Sequence, residues 1–246
     1  MKRFILLCIT AVLLVALSGC LMIGLNEIGG TSVQGTGPMV SRDFSIDGFN
    51  GLSISGAFVV VYRNSPTYAV TIEMQENLFE YLSVNTTGQT LHIETSVNFR
   101  ISRNNTPRVY IYAPYLSSVF LHAAIVTENW DAISTERLVM DVSGASNAAI
   151  SMEVEELDIN VSGAASFNLS GNAENANFTV SGAGDVNARN LQTRDANIQI
   201  NGASSVEISV SDNLDVSIAG VGTVRYVGNP HVSQNITGLG SVRRVD

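Results

Sequence analysis

Residues 142–240 contain six copies of one short motif, and this repeat decides the fold. The copies are Val142-Ser-Gly-Ala-Ser146, Val161-Ser-Gly-Ala-Ala165, Val180-Ser-Gly-Ala-Gly184, Ile200-Asn-Gly-Ala-Ser204, Ile218-Ala-Gly-Val-Gly222 and Ile236-Thr-Gly-Leu-Gly240. Intervals of 19, 19, 20, 18 and 18 residues separate their glycines, Gly144, Gly163, Gly182, Gly202, Gly220 and Gly238. Self-similarity at such a period is typical of proteins built from stacked structural repeats.

Apolar residues recur at every second position around each glycine, as in strands with one buried face. The residues two positions before the glycine are all valine or isoleucine: Val142, Val161, Val180, Ile200, Ile218 and Ile236. The residues four positions after it are also apolar: Ala148, Phe167, Val186, Val206, Val224 and Val242. Each repeat therefore predicts two strands bent at a glycine, which supplies a positive φ or room for a crowded neighbour.

A repeat of about 19 residues cannot bury its apolar face alone, so neighbouring copies must stack on it. Equivalent positions in register predict parallel strands about 4.8 Å apart and a rod about 29 Å long. We therefore predict an all-β protein, a parallel β-helix of ~19-residue rungs. The alternative is an antiparallel sandwich or barrel with frequent hairpins. Asn-Gly and Asp-Gly hairpin turns are absent from the repeat region apart from Asn201-Gly202, which favours the β-helix.

The N-terminal half has a less regular β pattern. Short alternating segments follow one another from Arg42 to about Leu121, separated by turn signals such as Asp47-Gly48 and Asn50-Gly51. Residues 76–81 indicate one helical turn. We expect this half to add wider rungs or a cap to the β-helix.

The chain begins with a pattern typical of an export signal. Lys2 and Arg3 precede an apolar stretch over residues 4–17, which is too short for a comfortable membrane span. Leu17-Ser-Gly-Cys20 then resembles the bacterial lipobox, whose cysteine is lipidated and becomes the new N-terminus after cleavage before it. This predicts a lipoprotein signal peptide over residues 1–19, lipidated Cys20 with a flexible tether over residues 20–40, and a folded domain over residues 41–246. The alternatives, an ordinary signal peptide or an uncleaved anchor, would still export the chain.

Cleavage would remove Lys2, the only lysine, together with Arg3. The mature chain would carry 11 arginines against 22 acidic residues, a net charge of −11. Such a surface argues against nucleic acid as a partner and against electrostatic docking on anionic lipid. The expected link to the membrane is the lipid itself. With Cys20 lipidated and Cys8 removed, the fold has no disulfide.

Several segments together resemble the auto-transporter adhesin head GIN domain family. They are the stretch from Phe44 to Val61 (Phe-Ser-Ile-Asp-Gly-Phe-Asn-Gly-Leu-Ser-Ile-Ser-Gly-Ala-Phe-Val-Val-Val), Gln75-Glu-Asn-Leu78, Gln89-Thr-Leu-His-Ile93 and the Ser-Gly-Ala and Gly-Leu-Gly repeats. The resemblance covers residues 42 to about 244. It implies an exported bacterial protein, often a lipoprotein, with a right-handed β-helix and no catalytic motif to carry over. The translocator barrel of a true auto-transporter is absent from the sequence.

Carboxylates are the first candidates for a catalytic or metal site, because several β-helix proteins are polysaccharide lyases or hydrolases. Such enzymes need clustered acids for Ca²⁺ binding or acid–base work. The densest group is Glu153, Glu155, Glu156 and Asp158, which we place at a turn between rungs and interpret as a solvated acidic run. His92, His122 and His231 are far apart and have no partner at metal-ligand spacing. The sequence therefore predicts no catalytic residue, no metal and no cofactor.

Arg100, Arg103 and Arg108 form a second candidate, a cationic loop in an acidic protein. They are candidate ligands for a carboxylate or phosphate of a cell-surface glycan, and the alternative is a mobile polar loop. Outer columns of polar residues, such as Asn168, Asn187, Glu207 and Arg225, are expected to form stabilising ladders or a flat sugar-binding face.

The leading interpretation is a non-enzymatic adhesion, binding or structural module, anchored in the cell envelope by its lipid. Its expected partners are the membrane and a glycan, an envelope protein or another copy. The alternative is a carbohydrate-active enzyme that uses the turn from Glu153 to Asp158. A third hypothesis is a component of envelope-stress sensing or assembly. Leu21, rather than Asp, follows Cys20, which favours the outer membrane by resemblance to known sorting signals.

Overall fold

The protein is built almost entirely of strands. The computed structural model describes residues 31–246, and of Arg103 it describes only the backbone. Strands take up 75% of the structure and helices 4%, in stacked parallel coils that form a β-solenoid of about 6 turns. The prediction of an all-β fold with a parallel β-helix is confirmed.

Fifteen strands lie along the described residues. The strands are β1 (Ser32–Gln34), β2 (Met39–Phe44), β3 (Gly51–Asn64), β4 (Ala69–Gln75), β5 (Leu82–Thr87), β6 (Thr90–Thr95), β7 (Asn98–Arg100), β8 (Arg108–Ala113), β9 (Ser118–Thr127), β10 (Ile133–Gly144), β11 (Asn147–Gly163), β12 (Ser166–Gly182), β13 (Asp185–Val227), β14 (His231–Gly238) and β15 (Ser241–Arg244). Short 3-10 helices lie at Glu76–Tyr81, where the sequence predicts a helical turn, and at Arg103–Asn105.

Equivalent positions of successive repeats pair in parallel, as the period predicts. Val142 pairs with Val161, and Val161 pairs with Val180. The 20-residue interval that ends at Gly202 is accommodated by a register shift opposite Asn168–Ser170, where the longer copy bulges. The competing antiparallel sandwich is thereby excluded for the repeat region.

The core of the solenoid consists of the predicted apolar columns. Val142, Val161, Val180, Ile200 and Ile218 are at most 2% exposed. The corresponding Ile236 in β14 is only partly buried, because β14 lies at the end of the sheet. Since each rung covers the apolar side of its neighbour, burial depends on the parallel register and not on any single coil.

The N-terminal half continues the stack and then closes it. Strand β3 pairs in parallel with β9, and Gly56, Ala123 and Gly144 occupy one column, so the glycine corner extends two rungs further than the repeat itself. On its other side β3 pairs in parallel with β6 and β8. Strand β4 then pairs antiparallel with β8, and β2 pairs antiparallel with β4, and this change of direction caps the solenoid. Both expected roles of this half, rungs and cap, are therefore present.

The folded part begins earlier than the sequence predicts. The signal peptide, Cys20 and the first part of the predicted tether lie outside the described residues. Within the tether, however, Ser32–Gln34 pairs with β7, and Met39 and Val40 belong to β2, which pairs with β4. Their contacts are made with residues far along the chain, which local composition does not reveal. Among the described residues, no helix has the length and apolar character needed to cross a bilayer.

The glycine corner brings the backbones of two rungs into close contact. Gly163 has a φ of 112°, and a Cβ added to it would lie 2.5 Å from the carbonyl oxygen of Gly144. That same oxygen accepts a hydrogen bond of 2.9 Å from the amide of Ala164. Any side chain at this corner would therefore both strain the backbone and push away a hydrogen-bonded carbonyl.

We expect Gly163→Ala to lower the free energy of unfolding by about 2–5 kcal/mol, because strained dihedrals and a backbone clash add together. The measurement is the urea midpoint of the full chain. Asn160→Ala, an exposed change in the same rung, is the control and should stay within about 0.5 kcal/mol of the wild type. A Gly163→Ala midpoint equal to that of the control would contradict the close approach.

Ala123 offers the opposite test, because it stands in the glycine column with a φ of 80° and is not a glycine. An L-residue in this region is strained, so Ala123→Gly should raise the free energy of unfolding by up to about 1 kcal/mol. The same urea series measures it. A clear loss of stability would show that the corner at Ala123 differs from the others.

Candidate functional site

The outward side chains of the segments before each glycine form one broad surface, which we call the polar face. Its three columns stand three, five and seven positions before the glycines. The columns are Asp141, Asn160, Thr179, Gln199, Ser217 and Asn235; Val139, Asp158, Asn177, Asn197, Asp215 and Ser233; and Arg137, Glu156, Asn175, Asp195, Asn213 and His231. Within each column, successive residues lie about 4.8 Å apart, which is the spacing of neighbouring strands.

Acids on the polar face are paired with amides on adjacent rungs. The Asn177 Nδ2 donates to Asp158 Oδ1 at 2.9 Å, and the Asn213 Nδ2 donates to Asp195 Oδ1 at 2.6 Å. Arg194 also donates to Asp195 Oδ2 at 2.7 Å. The hydrogen bonds from Arg194 first and Asn213 second lower the pKa of Asp195 below its ordinary value. An acid stacked on an amide avoids the repulsion that two stacked acids would suffer.

A shallow groove of ≈ 130 Å³ runs across three rungs of the polar face. Its polar lining consists of Asn175, Asn177, Asp195, Asn197, Asn213 and Asp215. Amide and carboxylate groups repeat along it as hydrogen-bond donors and acceptors. Such a surface can bind an extended polar partner by many weak contacts.

The acidic run from Glu153 to Asp158 lies along β11 rather than at a turn. The Asn172 Nδ2 lies 2.9 Å from Glu153 Oε2, and Arg137 contacts Asp158 at 2.6 Å and Glu156 at 3.5 Å. These partners come from the rungs on either side and act as ladder contacts. Three of the four carboxylates, all but that of Glu155, therefore contact side chains of neighbouring rungs.

Glu155 lies in an open groove of ≈ 490 Å³ that Glu136 and Glu153 also line. The interval between Glu136 and Glu155 is one repeat of 19 residues, and sequence reasoning did not align these two acids. Within residues 31–246, no group of three histidine, cysteine, aspartate or glutamate side chains is placed to hold a metal ion.

The histidines remain apart, and one of them joins a ladder. His122 Nδ1 lies 2.7 Å from Ser143 Oγ, because β9 and β10 pair these positions. A nucleophilic serine needs a base that a third group orients. Within the described part of the chain no carboxylate contacts the His122 ring, so the pair lacks that third member.

The predicted arginine loop is only partly available to an anion. Arg100 is exposed at the end of β7, whereas Arg108 donates to Glu128 Oε2 at 2.8 Å. This contact with Glu128 is the main reason that the pKa of Arg108 is raised. The structure gives no side-chain position for Arg103. The three arginines stay a predicted anion site.

The expected ladder after the glycines includes an ionic cluster. The Asn187 Nδ2 donates to Asn168 Oδ1 at 3.2 Å. Glu207 accepts hydrogen bonds from Arg189 at 2.9 Å and from Arg225 at 3.2 Å. Chiefly because of the bond from Arg189, the pKa of Glu207 is held below its ordinary value of 4.5. Arg189 lies at the bulged position of its rung, so that aligning the repeats with one another does not place it beside Glu207.

A family described as "Putative auto-transporter adhesin, head GIN domain" matches residues 48–230. Among solved structures, the fold is similar to that of a putative adhesin from Bacteroides fragilis, with a TM-score of 0.75, 20% identity, and coverage of 87% of this chain and 100% of that one. A putative lipid binding protein from Parabacteroides distasonis gives a TM-score of 0.66 at 20% identity, covering 88% and 100%.

A putative adhesin from Parabacteroides merdae gives a TM-score of 0.64 at 21% identity, covering 87% of this chain and 99% of that one. At these identities the likeness to solved structures concerns the fold alone. No curated protein matches the chain.

Glu207→Gln should lower stability by about 1 kcal/mol or less at pH 7, since two partly exposed arginines lose their counter-charge. The lowered pKa of Glu207 means that its contribution is present above about pH 4.5 and is lost as pH falls through the folded-state value. Urea midpoints of wild type and variant should therefore begin to approach each other below about pH 4.5 and coincide once the pH lies below the folded-state pKa. Midpoints that differ by the same amount at every pH would show that the loss is not ionic.

Proposed function

Because the chain belongs to the auto-transporter adhesin head GIN domain family, we propose that it is a non-enzymatic binding module of the cell envelope, anchored there by a lipid. Family membership supports an extracellular or envelope-associated, adhesin-like protein. The lipid anchor, the outer-membrane address and the binding partner are parts of the proposal. The partner that we propose is a glycan or an envelope protein, and the acidic charge argues against nucleic acid.

The register of the polar face carries the proposal. Six stacked rungs present amides, hydroxyls and carboxylates in straight columns, and hydrogen bonds between rungs hold several of them in place. A surface whose donors and acceptors are already ordered loses little conformational entropy on binding. Repeated contacts along it favour a long partner over a small one, because many weak contacts add along the rod.

Catalysis receives less support from the same geometry. Glu153, Glu156 and Asp158 are engaged by neighbouring rungs, and Glu155 has no partner within residues 31–246. The groove beside Glu155 is wide and holds no basic side chain in its lining. A lyase or hydrolase needs a matched acid and base facing one sugar ring. We therefore keep turnover as the outcome that would overturn the proposal.

The proposed anchor follows from Cys20. Lipidation of this cysteine would tie the solenoid to the membrane while its acidic surface stays in water. Leu21 after Cys20 supports the outer membrane as the address. The folded part begins at about residue 32, which leaves a short segment between anchor and solenoid.

We expect Cys20→Ser to release the protein from the membrane, since the variant has no thiol to accept a diacylglycerol group. The measurement is mass spectrometry of the N-terminal peptide together with the share of protein in the membrane pellet. Wild-type protein should carry a lipid of fixed mass and sediment, whereas the variant should remain in the supernatant. Cys8→Ser, which lies within the predicted signal peptide, is the control and should behave as wild type. An unmodified Cys20 in the mature wild-type protein would contradict the anchor.

A further prediction concerns the polar face. Single changes of Asn177, Asn197 or Asp215 to alanine should weaken binding to isolated cell envelopes by no more than about threefold, and the triple change by more than tenfold. The matched control is the triple variant of Asn147, Ser166 and Asp185, exposed residues that form one column in the strands after the glycines and should leave envelope binding unchanged. The same preparations should release no reducing ends from uronic-acid polymers. Release that Glu155→Ala abolishes would replace the binding module by an enzyme.

A further inference from the structure

A second groove lies at the start of β3, near the capped end of the solenoid and two rungs beyond the end of the polar face that β10 forms. Its volume is ≈ 210 Å³. The lining consists of Gly48, Phe49, Asn50, Tyr68, Gln89 and Tyr115, which we call the aromatic groove. None of these six residues is charged, in a protein whose surface is strongly acidic.

Two tyrosines are unusually exposed in this groove. Tyr68 is 37% exposed and Tyr115 is 42% exposed, and only three other large apolar or aromatic side chains among residues 31–246 are open to a similar degree. Exposed aromatic surface that collects at one place is a common mark of a binding site. The two rings come from different loops, after β3 and after β8, and meet only through the fold.

The ring of Tyr68 packs against a buried aromatic ring. Buried Phe49 packs against it, with ring centroids 5.3 Å apart and planes tilted by 55°. Gly48 lies so close that an added Cβ would be 3.3 Å from the Tyr68 ring. A ring supported in this way presents its remaining surface as a fixed platform, and fixing it costs little on binding.

Two amides in the groove leave a donor and an acceptor side by side. Asn50 Nδ2 donates to Gln89 Oε1 at 2.8 Å. This bond leaves Asn50 Oδ1 and the Gln89 Nε2 hydrogens without a partner inside the described part of the chain. A neighbouring acceptor and donor match two adjacent hydroxyl groups of a ligand, each of which can donate and accept.

The backbone holds this arrangement in place. The backbone N–H of Asn50 donates to the backbone carbonyl of Gln89 at 3.0 Å, and the backbone carbonyl of Asn50 accepts from the backbone N–H of Ser117 at 2.7 Å. Asn50 is therefore fixed between the rung that starts after Gln89 and the rung that starts after Tyr115. The stacking that builds the solenoid thus also builds this groove, and preorganised groups of this kind bind with a smaller entropic cost.

We propose that the aromatic groove binds a neutral pyranose ring of a cell-surface glycan. The apolar C–H face of such a ring stacks on Tyr68 or Tyr115, and two adjacent hydroxyls bond to Asn50 and Gln89. The groove is smaller than the range of about 300–1,000 Å³ for drug-sized ligands, which suits one sugar ring of a longer chain. The inference rests on the proposed binding function and names its ligand class.

The test uses the full-length lipidated protein in detergent micelles. The probes are methyl glycosides of glucose, galactose and N-acetylglucosamine, followed by saturation-transfer NMR, and a glycan array of neutral oligosaccharides. We expect saturable transfer from at least one pyranoside and array binding to glycans that contain it. Tyr68→Ala and Tyr115→Ala should each weaken both signals at least fivefold, and Gln89→Ala should do so to a similar degree. Val126→Ala removes another exposed apolar side chain outside the groove and should leave both signals unchanged.

Envelope binding, measured on the same variants, separates this inference from the proposed function. If no pyranoside or neutral glycan binds, or if the tyrosine variants bind as well as wild type, the pyranose assignment is overturned. Should wild-type protein then still bind envelopes through the polar face, the proposed function stands without the groove. A wild-type protein that binds neither sugars nor envelopes overturns both. Circular dichroism melts of each variant must match wild type, so that loss of binding reports on the groove.

Discussion

The whole structure depends on the close backbone contact between successive rungs at the glycine corner. There the amide of Ala164 reaches the carbonyl of Gly144, and the amide of Ala183 reaches the carbonyl of Gly163, each at 2.9 Å. No side chain fits between these backbones. Because the corner fixes the position of each rung on the one below, it also fixes the register of every residue on either side of it. The apolar columns meet inside for that reason, and they supply most of the stabilising burial.

The same register creates a difficulty on the outside, because identical repeats would stack identical charges. At several positions the sequence avoids this by placing an amide or an arginine next to an acid. Asn177 faces Asp158, Asn172 faces Glu153, and Glu207 lies between Arg189 and Arg225. These contacts are individually weak in water. Together they convert the strongly acidic surface into ordered columns, and the proposed binding function uses that order.

The repeat alone is enough to predict the parallel β-helix, its inward columns and the position of its corners. It predicts less where copies are missing. The rung made by β9 has Ala123 in place of the glycine. Between β3 and β9 the chain also forms the antiparallel cap strand β4, the β5–β6 hairpin, β7 and β8. The strand at Ser32–Gln34 depends on pairing with residues 98–100, which no local pattern reveals.

The candidate sites also divide into those that the repeat predicts and those that only the folded chain brings together. The ladder column from Asn168 to Arg225 could be inferred because its members share one repeat position, whereas Arg189 was missed because it lies at a bulge. Arg108 is held by Glu128, which follows β9 and lies 20 residues further along the chain, outside the six recognised copies of the repeat. The aromatic groove joins residues from four separate loops or strand ends. A single sequence carries no periodic signal for such a site, and only the folded chain brings its members together.

The central claim is that equivalent residues of successive repeats lie directly over one another at a constant spacing. Electron paramagnetic resonance distances on a cysteine-free variant test it most directly, with one spin label at Asp141 and the second at Thr179, Gln199, Ser217 or Asn235 in turn. All of these residues lie in one outer column, so the distance should rise by about 4.8 Å with each repeat, from about 10 Å to about 24 Å. Distances that alternate between short and long along the series, or that do not grow with repeat number, would contradict the stacked solenoid.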